Sequence, residues 1–185
     1  KARTHFEDQP DLLTLEHLSY TVNKTVKKLD DVSLELHAGE ILGIAGVDGN
    51  GQEELVSAIC GMIQPDRGDI RLKGKSIIKD SIRARKEEGI GLVPEDRHRD
   101  GLVMEYSVAD NTVLGLHYVE PYAKGRVWLN HKEIRKNAEK LQEEFDIRCA
   151  NVDVGAGTLS GGNQQKIIIA REASRDPDIF VAVQP

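Results

Sequence analysis

A glycine-rich stretch at residues 46–53 constrains the fold of this chain more than any other feature. An apolar run at residues 40–45 precedes it, and a helix-like run at residues 54–61 follows it. Strand, glycine-rich loop and helix form the context of a phosphate-binding loop with the pattern G-x-x-x-x-G-K-[S/T]. The loop positions are filled by Gly46, Asp48, Gly49, Asn50 and Gly51. The sequence therefore predicts a phosphate cradle on an α/β sheet, and a simple glycine turn is the alternative reading.

The last two positions of this pattern depart from it. Gln52 stands where the pattern has lysine, and Glu53 stands where it has a hydroxyl residue. Gln52 removes the cation that neutralises the phosphates, and Glu53 with Glu54 adds negative charge at the helix start, where the helix dipole favours an anion. A like charge at about 4 Å costs on the order of 4 kcal/mol at an effective dielectric near 20. We therefore expect a loop that has the shape of a phosphate site but binds nucleotide poorly.

Composition limits the classes of function. The chain has 185 residues, enough for one domain with a core, and a net charge of −6, which argues against nucleic acid as a partner. Cys60 and Cys149 lie far apart and suggest free thiols in a reducing compartment. No apolar run is long enough to span a membrane. Because the chain starts without methionine and stops abruptly after a strand-like run, we expect a fragment of a longer protein.

Strand-like runs dominate the first half of the chain. They are separated by a basic turn at residues 24–28, and their close spacing predicts a small antiparallel sheet. A short charged segment at residues 81–88 is expected to be helical. The predicted strands lie at residues 12–20, 32–36, 40–45, 69–72, 89–93 and 179–185.

Residues 97–157 differ from the rest of the chain in their sequence pattern, which is that of helices and not of strands. We interpret them as a helical insert within a single domain spanning residues 1–185. Helices are predicted at residues 107–116 and 131–145. Asn130, with Glu133 three residues on, has the spacing of a capping box. One face of the second helix gathers Ile134, Ala138, Leu141 and Phe145.

The most specific stretch of the chain runs from residue 159 to residue 166. Ser160 can cap a helix that starts here, and the two glycines after it expose backbone N–H groups, which makes a second anion site. A purely structural helix start is the alternative reading. The six residues of interest are Leu159, Ser160, Gly161, Gly162, Asn163 and Gln164.

The L-S-G-G-x-Q-Q stretch resembles the signature motif of ATP-binding-cassette (ABC) ATPases. The order of P-loop, glutamine-loop region, insert, signature and final strand also matches that family, from about residue 12 to residue 185. Three stretches, at residues 43–52, 94–102 and 159–166, resemble the C-terminal cassette of tandem ATPase subunits for simple-sugar and nucleoside uptake. The resemblance implies a P-loop NTPase core with an N-terminal antiparallel β subdomain and a helical insert, in an incomplete cassette.

The resemblance also implies roles and partners. The P-loop would hold ATP, and the signature motif would touch the γ-phosphate of an ATP held by a second cassette, expected in the same full-length chain. Glu95, Asp96 and Arg97 would form a coupling loop toward transmembrane permease subunits, served indirectly by a solute-binding protein. Such a subunit lies at the cytoplasmic face of the membrane. Tyr20 is either an adenine-stacking residue or a core tyrosine.

Departures from the family pattern concern metal binding and catalysis. Glu95 replaces the expected glutamine, and Val183 and Gln184 occupy the positions of the Mg²⁺-binding aspartate and the general base of Walker B. A glutamine cannot take a proton from water. We therefore expect no catalytic residue and weak or no Mg²⁺ binding at this P-loop, so that this half is inactive alone and completes the site of a competent partner.

Several alternatives remain at this stage. The chain could be a self-sufficient P-loop NTPase, or a non-transport cassette protein acting on ribosomes or nucleic acid. The segment from Arg97 to Asp100 is a solvated loop or a coupling surface, and Trp128 is expected to pack within the insert. The six histidines share no metal-ligand spacing. As family resemblance only, Gln52 and Gln184 favour nucleosides over sugars as cargo.

Overall fold

The computed structural model describes residues 9–184 apart from residues 24, 48 and 126. The chain divides into two compact units, residues 1–90 and residues 91–185. The strands are β1 (Asp11–Val22), β2 (Val26–His37), β3 (Arg67–Leu72), β4 (Lys75–Ser76), β5 (Ile90–Val93), β6 (Ala123–Lys124), β7 (Trp128–Leu129) and β8 (Ile179–Ala182). The α-helices are α1 (Gln52–Cys60), α2 (Ile82–Glu87), α3 (Val108–Thr112), α4 (His131–Glu144) and α5 (Gly161–Ala173).

The first unit is built on an antiparallel sheet with strand order β2-β1-β3-β4, which confirms the predicted small antiparallel sheet. Leu13 and Leu15 point into the core at the two-residue period of a strand. The register then shifts around His17, whose φ is 52°, so that Leu18 is the next buried residue. The irregularity moves the buried position by one residue and keeps the core continuous.

Two local expectations in this unit are wrong. The basic turn is shorter than residues 24–28, because Val26 already belongs to β2. Residues 40–47 form no regular structure, and Ile41 is 96% exposed. A strand needs a neighbour to accept and donate its backbone hydrogen bonds, and none of the described strands of this unit pairs with the segment. Apolar sequence alone does not make a strand there.

Helix α1 ends at Gly61, whose φ of 80° closes the last turn as the sequence predicts. The buried side chain of Arg85, 1% exposed, donates to the carbonyls of Ala58 at 2.5 Å and Ile59 at 2.9 Å. The same guanidinium donates to the carbonyl of Ile78. Burial lowers the pKa of Arg85, and the carbonyl dipoles at the helix end compensate the charge. This arginine joins α1 to α2 and the segment before it.

Replacing Arg85 with methionine is expected to destabilise the protein by about 2–4 kcal/mol, because four backbone carbonyls, those of Ala58, Ile59, Ile78 and Asp80, lose their charged donor. Urea unfolding gives the difference in the free energy of unfolding. Arg83→Met serves as the control, since Arg83 lies on the same helix and pairs with Glu87 while more than half exposed. Equal losses for both variants would contradict a special role for Arg85.

In the second unit β5 pairs with β8, and helices α3, α4 and α5 contribute to two clusters of buried residues. The buried face of α4 presents Ile134, Ala138 and Leu141, as predicted. Asn130 precedes α4 but its side chain makes no capping hydrogen bond, so that expectation is wrong. The start of α4 is held instead by its backbone and by the packing of the apolar face.

Residues 97–157 contain more than α-helix. A π-helical turn covers Arg97–Gly101, and strands β6 and β7 form a short antiparallel hairpin. Trp128 lies in this hairpin and is 76% exposed, so the expected packing of Trp128 is wrong. A two-residue strand offers its tryptophan too little surface to cover it. Within the described residues, no helix has the length and apolar character needed to cross a membrane.

Candidate functional site

The glycine-rich loop of the first unit is closed by hydrogen bonds to one carbonyl. The backbone N–H of Asn50 donates to the Val47 carbonyl at 3.3 Å, its side-chain amide donates to the same oxygen at 3.0 Å, and the amide of Gln52 donates to it at 3.2 Å. A Cβ at Gly46 would collide with the Gln52 amide, so this glycine makes room for it. Gln52 therefore folds back onto the loop. Asp48 lies outside the described residues.

Gly51 fixes the position of the loop against β2. Its φ is 97°, and a Cβ there would collide with the carbonyl of Lys28. Only glycine satisfies both the left-handed conformation and this approach. The loop and the start of α1 are thereby set beside β2.

Lys28 is a charged neighbour of the loop that motif analysis missed. Its ammonium lies 3.2 Å from a carboxylate oxygen of Glu54 and 3.4 Å from the Gly49 carbonyl. Glu54 is thus paired, whereas Glu53 is exposed at the start of α1. The expected repulsion toward an anion therefore comes mainly from Glu53. No local spacing signals this pair, because strand and helix come together only in the fold.

The donors at this loop differ from a usual Mg²⁺ set, which combines hydroxyl and carboxylate oxygens with water. The Gln52 amide is committed to the Val47 carbonyl. In the second unit, the Val183 side chain is aliphatic and carries no ligand atom. Glu53 offers a carboxylate oxygen without the hydroxyl ligand that the motif normally provides. Gln52 and Glu53 therefore do not fit the family's metal site.

The signature stretch of the second unit forms the start of α5. Ser160 precedes the helix and is exposed; its hydroxyl accepts a hydrogen bond from the Asn163 amide at 2.9 Å and makes no capping bond to the backbone. Gly162 is exposed, and a Cβ there would meet nothing within 4 Å. Leu159 is partly buried against the core. The helix start therefore presents its free N–H groups, one hydroxyl and a bare glycine to solvent.

Asn163 also supports the segment before the helix. Its side-chain oxygen accepts a hydrogen bond from the backbone N–H of Arg148 at 2.8 Å. The Asn163 amide therefore connects the Ser160 hydroxyl with the segment that follows α4. Capping of α5 by the Ser160 side chain, expected from the sequence, is replaced by this bridge.

The ends of β5 and β8 bring two predicted site residues together. The Gln184 amide donates to a carboxylate oxygen of Glu95 at 2.8 Å, and the backbone N–H of Val183 donates to the Val93 carbonyl at 3.0 Å. Both side chains of the first pair are exposed. A carboxylate and an amide thus stand in the places where the family pattern has an amide and a carboxylate.

Asp96 shapes the turn that follows β5. Its carboxylate accepts hydrogen bonds from the backbone N–H groups of Arg99 at 3.1 Å and His98 at 3.0 Å, and these bonds lower the pKa of Asp96. The carboxylate caps the π-helical turn, so its first role is structural. Arg97, beside it, directs its guanidinium at α5, where it donates to Gln164.

Three side chains on the antiparallel sheet of the first unit could together hold a metal ion. Asp11 and His37 are a cross-strand pair, Glu35 lies two residues before His37 on the same face of β2, and their ligand atoms lie within 4.8 Å of one another. A histidine nitrogen and two carboxylates are a set that transition metals accept. Linear spacing hid this group, since only the β1–β2 register brings Asp11 to His37.

Comparison with known proteins places the chain among cassette ATPases. The ABC transporter family model matches residues 29–182. The nucleoside import ATP-binding protein NupA of Lactococcus lactis is 47% identical over 174 residues, 94% of this chain and 34% of NupA. The guanosine import ATP-binding protein NupO of Bacillus subtilis is 42% identical, over 95% of this chain and 34% of NupO. A glucose import ATP-binding protein of Haloferax volcanii is 40% identical, over 94% of this chain and 32% of that protein.

Solved structures support the fold. The dimeric post-hydrolysis cassette MJ0796, bound to ADP and Pi, superimposes with a TM-score of 0.76 at 22% identity, covering 92% of this chain and 73% of that one. The likeness confirms the predicted cassette fold of a P-loop NTPase with an antiparallel β subdomain. The chain spans about a third of the length of the curated relatives it matches.

Proposed function

The chain belongs to the ABC transporter family, and from that premise we propose that it is part of the ATP-binding subunit of an importer for nucleosides or sugars. The names of two relatives support nucleosides as the cargo, with nucleoside import for NupA and guanosine import for NupO. Of the two cargo classes, nucleosides are favoured.

Within this function the chain is the degenerate half of a pair of cassettes. Gln52 replaces the phosphate-binding lysine, Glu53 brings an exposed negative charge, and Gln184 offers no general base. ATP binding at this loop is weak, and Mg²⁺ contributes little or nothing there. This half alone is not a working ATPase.

One observation carries the proposal: the signature motif is intact and its helix start is open to solvent. Ser160 and Gly162 are exposed, at the N-terminus of a thirteen-residue helix. A helix N-terminus stabilises an approaching anion through its N–H groups and its dipole. The motif therefore serves the γ-phosphate of an ATP bound by a second cassette, while the chain's own loop does little.

Partners follow from the same proposal. The chain is a truncated cassette domain whose insert, residues 97–157, and coupling loop, Glu95 to Arg97, face transmembrane permease subunits. The second cassette belongs to the same full-length chain, and a solute-binding protein delivers cargo to the permease. The assembly lies at the cytoplasmic face of the membrane, where this subunit is peripheral.

The proposal is tested by deleting the full-length subunit and measuring uptake of labelled nucleosides and sugars in cells. Nucleoside uptake is expected to fall at least about tenfold, because in the proposed function ATP turnover by this subunit drives import, while sugar uptake continues. Re-expression of the wild-type subunit is the control and restores uptake. Loss of sugar uptake alone would change the cargo, and unchanged uptake of both classes would contradict an importer.

A further inference from the structure

The side chain of Gln164, in the signature helix, is buried and fully hydrogen-bonded. It is 5% exposed. Its amide nitrogen donates to the carbonyls of Ala156 at 3.2 Å and Leu159 at 3.0 Å. Its amide oxygen accepts from the Arg97 guanidinium at 3.3 Å and from the His98 ring at 3.0 Å. Two donors and two acceptor sites are the full capacity of a glutamine side chain.

This arrangement fixes the orientation of every group in it. The amide nitrogen must face the two carbonyls, since the opposite orientation would place oxygen against oxygen. The amide oxygen then faces His98, so the Nε2 atom of His98 carries a hydrogen and donates. A histidine that donates in this way does so in either charge state. The network therefore holds a defined tautomer of His98.

The network joins the turn after β5 to the segment that leads into Ser160. Ala156 begins the 3₁₀ turn Ala156–Thr158, and Leu159 directly precedes Ser160. The Arg97 guanidinium also lies against Gly161, where a Cβ would stand 2.9 Å from it. The turn after β5 thus touches both the segment leading into the motif and the first residue of its helix.

The far end of the same turn is held independently. Gly101 packs against Ile168, and its carbonyl accepts a hydrogen bond from the Arg171 guanidinium at 2.8 Å. Loss of the Gln164 contacts therefore leaves the turn attached to α5. The first residues of the turn would lose their hold on Leu159 and Gly161, the neighbours of Ser160, while the fold of the unit is kept.

We propose that Arg97 and His98 are positioning residues for the signature motif, acting through Gln164. They set the positions of Ser160 and Gly162. The consequence for catalysis rests on the proposed function, in which this surface meets a partner's ATP. The turn after β5, expected to couple to the permease, is thereby mechanically connected to the signature motif.

Three substitutions of His98 separate positioning from general disruption. Glutamine can place an amide N–H where the ring Nε2 lies, whereas asparagine reaches only the place of Nδ1. His98→Gln is therefore expected to preserve the bond, and His98→Ala and His98→Asn to lose it. Arg99→Ala is the matched control for Arg97→Ala, because Arg99 lies in the same turn, pairs with Asp100 and is largely exposed.

The first measurement is hydrogen exchange of backbone amides in the full-length protein without nucleotide. In His98→Ala and Arg97→Ala, exchange at residues 156–164 is expected to rise about fivefold, the effect of one lost hydrogen bond to a buried group. His98→Gln and Arg99→Ala stay within twofold of wild type. Unchanged exchange in both alanine variants, or a rise across the whole second unit, would overturn the proposal.

The second measurement is ATP turnover by the full-length subunit with its permease. His98→Ala is expected to lower kcat about fivefold with KM within twofold, because ATP is bound by the other cassette's loop, and His98→Gln restores kcat. Equal kcat for His98→Gln and His98→Ala would overturn positioning. Absence of turnover in wild type would contradict the proposed function, and the exchange result would still decide the role of His98.

Discussion

Replacing Gly162 with aspartate in the full-length subunit is expected to lower ATP turnover at least about a hundredfold. The proposed surface meets a phosphate, and two negative charges at about 4 Å repel by on the order of 4 kcal/mol at an effective dielectric near 20. The chain's own fold tolerates the change, because a Cβ at Gly162 meets nothing within 4 Å. An acidic residue in the first turn of α5 is also favourable for the helix dipole.

The matched control is Gly162→Asn, which has nearly the shape of aspartate without its charge. Its turnover is expected to fall much less, and thermal unfolding of both variants should stay close to wild type. Phosphate release by the subunit assembled with its permease provides the measurement. Turnover within twofold of wild type in Gly162→Asp would show that this surface meets no nucleotide and would remove the main support for the proposed function.

Patterns within one element predicted most of the fold. The face of α4 that carries Ile134, Ala138 and Leu141 is buried as expected, since helical period and burial depend on the same few residues. The prediction of a strand at residues 40–45 was wrong because a strand needs a paired neighbour, and apolar composition describes only the segment itself. The predicted packing of Trp128 was wrong for a related reason, because its hairpin gives it no surface to pack on.

The candidate site divides in the same way. Local spacing identified Gly46 and Gly51 as loop glycines. The structure gives Gly51 a backbone neighbour that only glycine can admit, and it gives Gly46 the movable Gln52 side chain as its neighbour. The pairs Lys28–Glu54 and Glu95–Gln184 join distant parts of the chain. No spacing rule contains them. They nevertheless set the charge around each motif, so the electrostatics of the site needed the fold.

Lys28 changes the charge around the loop that lacks the P-loop lysine. It neutralises Glu54 from outside the motif and leaves Glu53 as the exposed carboxylate at the helix start. Among the described residues, no cation therefore stands at the lysine position of the motif, and Glu53 is the exposed carboxylate beside it. Repairing it requires two changes, a cation at position 52 and removal of the charge at position 53.

The double substitution Gln52→Lys with Glu53→Ser is accordingly expected to raise the affinity for Mg-ATP at least tenfold. A tenfold gain corresponds to about 1.4 kcal/mol. One like charge at about 4 Å costs on the order of 4 kcal/mol, which is well above that gain. A lysine at position 52 keeps a donor for the Val47 carbonyl, so the loop can retain its shape. Isothermal titration calorimetry of the purified proteins measures both dissociation constants.

Two single variants assign the gain. Glu53→Gln removes the opposing charge without adding a hydroxyl or a cation, and it should recover part of the affinity. Glu54→Gln removes a charge that Lys28 already neutralises, so it should recover less than Glu53→Gln. If the double variant and wild type bind equally, charge is not what weakens this loop. The inward-folded side chain at position 52, packed against Gly46, would then be the barrier that closes it to phosphate.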